Sequence, residues 1–165
     1  MPQLSVFKCY VDASFAADLD TRRSTTGYVF KIAGGPVSWQ SRMQTSVALS
    51  SMESEYMAAS AAAQEAIWLN RLWEEMGFRS KKPIILYEDN EAAILFSDHP
   101  GDHRRSKHND TRKYFLRDAV INGKIKLEYI NTTEQLADGL TKALTPDHHL
   151  HGLRNLLSSY QMSQE

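Results

Sequence analysis

Four acidic residues stand where the chain can give them more than a solvent-facing role. Asp12 closes the apolar alternation of Phe7, Cys9 and Val11, and Asp89 follows the apolar run Pro83-Ile-Ile-Leu-Tyr87. Both read as strand-end aspartates, and open α/β sheets gather functional groups outside the carboxyl ends of their strands. Glu55 lies in an Ala-rich helical run. At about 100° per residue, Met52, Ala58, Ala59, Ala62, Ala66 and Trp73 all fall within about 60° of it, whereas Glu53 points to the opposite side with Ser60 and Gln64. A carboxylate in the middle of a packing face must be paired, protonated or bound to a cation, because an isolated buried charge costs several kcal/mol. Asp138 falls off the stripe of Leu136, Leu140 and Leu144 and either completes the set from the last helix or is an exposed helical carboxylate. Taken singly, Asp12 also fits a turn former, Asp89 a helix N-cap and Glu55 a structural ion pair. Taken together, they offer the oxygen ligands that suit Mg²⁺, a hard cation that keeps waters for substrate.

The elements that must carry these residues follow from periodicity. Residues 7–11 alternate as a strand, 27–32 as a second, and 37–40 as its hairpin partner across the Gly34-Gly35-Pro36 turn. Ser50-Ser-Met-Glu53 is a capping box that opens a helix running to about Met76 and stopping at Gly77, so Glu53 is a cap and Glu55 the inward acid. A buried strand over 83–87 leads into a helix over 90–96. A further helix around Tyr114, Phe115 and Ala119 ends at Asn122-Gly123, and 124–130 alternates as a last strand. Thr132-x-x-Gln135 reads as a second capping box for a helix with Leu136, Leu140 and Leu144 on one stripe, and Pro146 begins a tail. The order β-β-β-α-β-α-α-β-α, with hairpins and crossovers mixed, predicts an α/β fold with a mixed sheet covered by helices.

The chain has 165 residues, 42% hydrophobic and 24% charged, which predicts one globular domain over 1–165 with its core over about 7–157. Its single cysteine, Cys9, supplies neither an internal disulfide nor a metal pair and suits a reducing compartment. The longest apolar stretch, over 58–69, is broken by Ser60, Gln64 and Glu65, so no spanning helix is expected, and no charged-then-apolar segment opens the sequence to suggest a secretion signal. Nineteen Lys and Arg against twenty Asp and Glu give a net charge of -1, and the overall field alone would not hold nucleic acid. The one basic concentration, Arg104, Arg105, Lys107, Arg112, Lys113 and Arg117, is interleaved with His103, His108 and Asp110. It reads as a solvated face or as a local electrostatic contact to nucleic acid. His148, His149 and His151 follow Pro146 without a cysteine and read as a solvated tail helix rather than a metal cluster.

Seven blocks carry a resemblance. Tyr10-Val-Asp-Ala-Ser14, Asp18-Leu-Asp-x-Arg-x-Ser-Thr-x-Gly27-Tyr-Val, Val37-Ser-Trp39, Ala48-Leu-Ser-Ser-x-Glu-x-Glu-Tyr56, Tyr87-Glu-Asp-Asn90 with Ala92-Ala-Ile94, Lys107-His-x-Asp110 and Glu134-Gln-Leu-Ala-Asp138 occur in order over most of the chain. In this it resembles the ribonuclease H domain of copia-type LTR retrotransposon polyproteins. The resemblance implies a ribonuclease H-like fold, a five-stranded mixed sheet flanked by helices, and an acidic tetrad that falls on Asp12, Glu55, Asp89 and Asp138. Glu88 and Asp110 are less suited as ligands.

The resemblance further implies a metal-dependent endoribonuclease that hydrolyses the RNA strand of RNA/DNA hybrids with two Mg²⁺ ions, Mn²⁺ being a possible substitute. In that scheme Asp12 and Asp89 are the central ligands, with Glu55 on the leaving-group side and Asp138 on the nucleophile side. Recognition of the RNA strand would use 2′-hydroxyls in a wide minor groove. Ser50 and Ser51 at the start of the long helix, and Asn90 beside a metal carboxylate, are candidate substrate contacts. The partners implied are the hybrid and the reverse transcriptase polymerase domain of the same polyprotein, with no membrane. The setting implied is intracellular, in a cytoplasmic retrotransposon particle or the nucleus. The segment 129–137 has no histidine where many cellular ribonucleases H carry one, as in the copia-type pattern, which leaves proton handling unassigned. The alternatives are a catalytically idle module of the same fold that binds nucleic acid or braces a polymerase domain, and a transposase or integrase with a different acidic spacing.

Overall fold

A computed structural model describes residues 7–32, 34–78, 83–98 and 110–157. Three antiparallel strands open the chain: β1 (Lys8–Ser14), β2 (Thr25–Ile32) and β3 (Gly35–Met43). The helix α1 (Ser51–Glu75) crosses to β4 (Ile84–Glu88), and α2 (Glu91–Asp98) and α3 (Asp110–Ile121) lead to β5 (Ile125–Tyr129). After a single 3-10 turn over Thr132–Glu134 come α4 (Asp138–Thr141) and α5 (Pro146–Leu157). The strands form one sheet in the order β3-β2-β1-β4-β5, with β1 antiparallel to β2 and parallel to β4. This is the five-stranded mixed sheet with flanking helices that the resemblance implies.

Alternation along β1 divides its side chains between two faces. Phe7, Cys9, Val11 and Ala13 join the main core with Tyr28, Phe30, Leu86 and the alanines of α1. Ala58, Ala59, Ala62 and Ala63 are fully buried, so their short side chains let α1 lie close against the sheet. Ser50 caps α1 by accepting a hydrogen bond from the Glu53 N–H, and Glu53 reaches back to the Leu49 N–H at 2.8 Å. Gly77, at φ +86°, turns the chain away after the helix in the left-handed conformation that glycine favours. Tyr10 and Asp12 alternate onto the other side of the sheet, where α4 lies against β1 and β2.

Three expectations are corrected. β1 does not stop at Asp12: its pairing with β2 continues through Ser14↔Thr25, so Asp12 sits inside the strand, opposite Gly27. The Thr132-x-x-Gln135 capping box does not form. Asn131 instead accepts from the Thr133 N–H at 3.0 Å, and only the 3-10 turn follows. The continuous Leu136/Leu140/Leu144 helix is accordingly a four-residue α4, whereas the tail helix expected from Pro146 does form, over twelve residues, with His148, His149 and His151 exposed. Arg104, Arg105, Lys107 and the Lys107-His-x-Asp110 block lie outside the described side chains. No helix among the described residues is long and apolar enough to cross a membrane.

Candidate active site

The parallel pairing of β1 with β4 positions the two aspartates. Tyr10 pairs with Tyr87, and two residues beyond each, on the same side of their strands, stand Asp12 and Asp89. Past Tyr10 and Tyr87 the β1/β4 ladder ends, and a third carboxylate, Glu55 from the first turns of α1, joins the two aspartates. Oxygens of Asp12, Glu55 and Asp89 all lie within 4.8 Å of one another, the first two residues buried and the third half-buried.

Such a cluster is electrostatically unfavourable on its own. Burial, the charges of Glu88, Asp12 and Asp89, in that order, push the Glu55 carboxyl up to about 10. Burial likewise lifts Asp12 to about 6, against the opposing hydrogen bond from the Thr141 hydroxyl. The Oε2 of Glu55 is buried and has no hydrogen-bond partner among the described residues. A buried carboxylate oxygen without a donor, facing two other acids, is satisfied by a proton or by a cation. The donor set is all oxygen, which suits Mg²⁺, Mn²⁺ or Ca²⁺ and not a thiolate-seeking metal.

Asp138 lies beyond this trio. As the first residue of α4 it is fixed by a 2.9 Å ion pair with Lys142, one turn on, while its charge still reaches Asp12. Burial works against the Lys142 ammonium, yet the hydrogen bond to Asp138 and the charges of Asp12, Asp138 and Asp89 outweigh it and raise its pKa. Thr141 ties the two parts together: its hydroxyl donates to Asp12 Oδ2 and lies 3.1 Å from the Asp138 carbonyl oxygen. Gly27 makes this approach possible. A Cβ there would lie 2.6 Å from Thr141 Cγ2 and 2.9 Å from Leu140 Cβ.

The candidate substrate contacts lie at helix starts, two of them with capping bonds of their own. Ser50 and Asn90 are helix caps, with Asn90 Oδ1 accepting from the Ala93 N–H at 3.0 Å, and Ser51 is exposed at the start of α1. Glu53 is the cap expected of it. Glu88 is fully buried on the Leu86 side of β4, outside the ligand trio, and takes the Asn90 N–H on Oε1 at 3.1 Å. Sequence reasoning passed over Thr141 and Lys142, and read Gln135 only as part of a helix cap. The first two carry a weak signal, being three and four residues after Asp138 on one helical turn.

No protein-family model matches the chain. It is 42% identical over 139 residues to the retrovirus-related Pol polyprotein from transposon TNT 1-94 of Nicotiana tabacum, a match covering 84% of this chain. It is 37% identical over 136 residues, 82% of this chain, to that from transposon RE1 of Arabidopsis thaliana. The chain spans about a tenth of the length of these polyproteins, 10% and 9% respectively. Among solved structures, LC11-RNase H1 in complex with RNA/DNA hybrid superposes with a TM-score of 0.57 at 14% identity, covering 82% of this chain and 93% of that one. The RNase H domain of PFV superposes with a TM-score of 0.57 at 13% identity, covering 86% and 94%. At such identities these two likenesses establish the fold alone. The chain thus belongs with the retrovirus-related Pol polyproteins of copia-type transposons, as a segment with the ribonuclease H fold.

Proposed function

We propose that this domain is a metal-dependent endoribonuclease that cuts the RNA strand of RNA/DNA hybrids, as one step of retrotransposon reverse transcription. The observation that carries the reading is the trio of Asp12, Glu55 and Asp89, three convergent carboxylates with a buried, undonated Glu55 oxygen among them. Such an arrangement is costly in a fold that has no use for cations. Asp12 and Asp89 would hold the central divalent ion, Glu55 one flank, and Asp138 the outer side of a second ion. When bound, Mg²⁺ supplies Lewis-acid polarisation of a phosphodiester and lowers the pKa of an attacking water.

The chain's own residues supply position. The Thr141 hydroxyl occupies one oxygen of Asp12 and so leaves the other for a ligand. Lys142 holds Asp138 at the rim and places a permanent positive charge beside a site that must accept a phosphodiester. With a net charge of -1, the domain draws little on a global field to grip its substrate, and a linked polymerase domain would provide further contact. An intracellular site of action, in a transposon particle or the nucleus, goes with this reading.

The test is a substrate panel: end-labelled RNA/DNA hybrid, single-stranded RNA, duplex RNA and duplex DNA, each with Mg²⁺, Mn²⁺ or EDTA. Cutting confined to the RNA of the hybrid and abolished by EDTA is the expected result. Tight hybrid binding without cutting in either metal would favour the idle module.

A further inference from the structure

We infer that Gln135 is a positioning residue of the acidic site, a carboxamide clasp that holds β1, β4 and the start of α4 in the arrangement a divalent cation requires. This rests on the metal-site reading above and adds to it a residue that touches neither metal nor substrate.

The regular β1/β4 ladder ends at Tyr10↔Tyr87, just before the strands deliver Asp12 and Asp89. Where it ends, the Val11 and Tyr87 carbonyls need donors from elsewhere. Gln135 supplies them. Its Nε2 donates to the Val11 carbonyl at 2.9 Å and, more weakly, to the Tyr87 carbonyl at 3.4 Å. Two carbonyl acceptors on one side fix which end of the amide faces them. The Oε1 then turns the other way and accepts the Ala137 N–H at 3.2 Å, one residue before Asp138.

One side chain, 5% exposed, therefore bonds to the residue preceding Asp12, to the residue two before Asp89 and to the residue preceding Asp138. Three of the four acids are placed by backbone that it joins. The clasp also accounts for the capping box that fails to form at Thr132: the glutamine that would have reached back to the turn is committed to the strands. A shift of β1 against β4 by a fraction of a hydrogen-bond length would spread the oxygens of the trio and weaken a site that depends on their convergence.

The test compares Mn²⁺ binding to the whole domain, by titration calorimetry without nucleic acid, in the wild type, Gln135→Met and Leu116→Ala. Gln135→Met keeps the shape of the side chain and removes its hydrogen bonds. Leu116→Ala truncates a fully buried residue of α3, which carries none of the acids, and serves as a control for general loss of stability. The expected result is Mn²⁺ affinity about tenfold or more weaker in Gln135→Met and within about twofold of wild type in Leu116→Ala. If Gln135→Met fails to fold, Gln135→Asn, one methylene too short to span the strands, takes its place with the same expectation. Wild-type affinity in the folded Gln135 variant, or equal weakening in Leu116→Ala, overturns the assignment. A wild type that binds no Mn²⁺ overturns the metal-site reading beneath it.

Discussion

Gly27 offers a test of the geometry from a residue with no chemistry of its own. It pairs with Asp12 across β1 and β2, and the missing side chain is what allows α4 to descend onto the strand. In Gly27→Ala the new methyl would meet Thr141 Cγ2 at 2.6 Å, Leu140 Cβ at 2.9 Å and the Ala137 carbonyl oxygen at 3.2 Å. Ordinary carbon contacts lie at about 3.5–4.0 Å, so α4 must retreat by roughly 1 Å. Overpacking of this kind costs about 1–3 kcal/mol. The unfolded-state gain of a Gly→Ala change, about 0.4–1 kcal/mol, offsets only part of that. For a domain of this size the net loss corresponds to a Tm lowered by a few degrees. The effect on cleavage is expected to be larger, because the same retreat carries away the Thr141 hydroxyl and Asp138, and a misplacement of about 1 Å can cost about 10²-fold in rate. The assay is hybrid cleavage at saturating Mg²⁺ alongside a thermal melt. Gly27→Ala combined with Thr141→Ser removes the closest clash while keeping the hydroxyl, and a partial recovery of rate is expected because the Leu140 contact remains. Unchanged cleavage in Gly27→Ala, or a loss no greater than the unfolded fraction explains, would show that the close approach of α4 to β2 does not position the site.

Other outcomes follow from the same site. Glu55→Gln removes a carboxyl that burial and its acidic neighbours push up to about 10. The metal-free variant should therefore melt a few degrees above wild type at pH 8 while losing Mn²⁺ binding in calorimetry. Asp12 and Glu55 both hold protons in the folded state that the unfolded chain releases from about pH 4 upward, since their folded values, about 6 and about 10, lie above the ordinary 3.8 and 4.5. Stability in EDTA should thus fall as pH rises from 5 to 8, and Mg²⁺ should flatten that slope; melts across this range that show the opposite trend in EDTA would contradict the account. Thr141→Val, which keeps the shape and removes the donor to Asp12, should weaken Mn²⁺ binding by about tenfold, with a stability cost of about 1 kcal/mol.

Much of this architecture was legible because it is local. The α1 helix follows from a capping serine, an alanine-rich run and a terminal glycine, and helical phase alone separates Glu55, which turns inward, from Glu53, which caps the helix. What escaped depends on distant partners. Asp12 looks like the end of an apolar run because the strand beyond it is small and polar, yet pairing with β2 extends the strand to Ser14. The segment after β5 carries a plausible capping box, but Gln135 is drawn to carbonyls of Val11 and Tyr87, 124 and 48 residues away in sequence. Thr141 meets Asp12 across 129 residues, a relation that no local pattern encodes.

The most direct test of the central claim is cleavage of an RNA/DNA hybrid, labelled separately on each strand, by the wild-type domain and by Asp89→Asn in Mg²⁺, with hybrid binding and melting temperature measured on both. The wild type is expected to shorten only the RNA strand, and Asp89→Asn to stay folded, still bind hybrid and cut neither strand. Equal cleavage by the two proteins, or a folded wild type that binds hybrid and leaves its RNA intact, would contradict the claim.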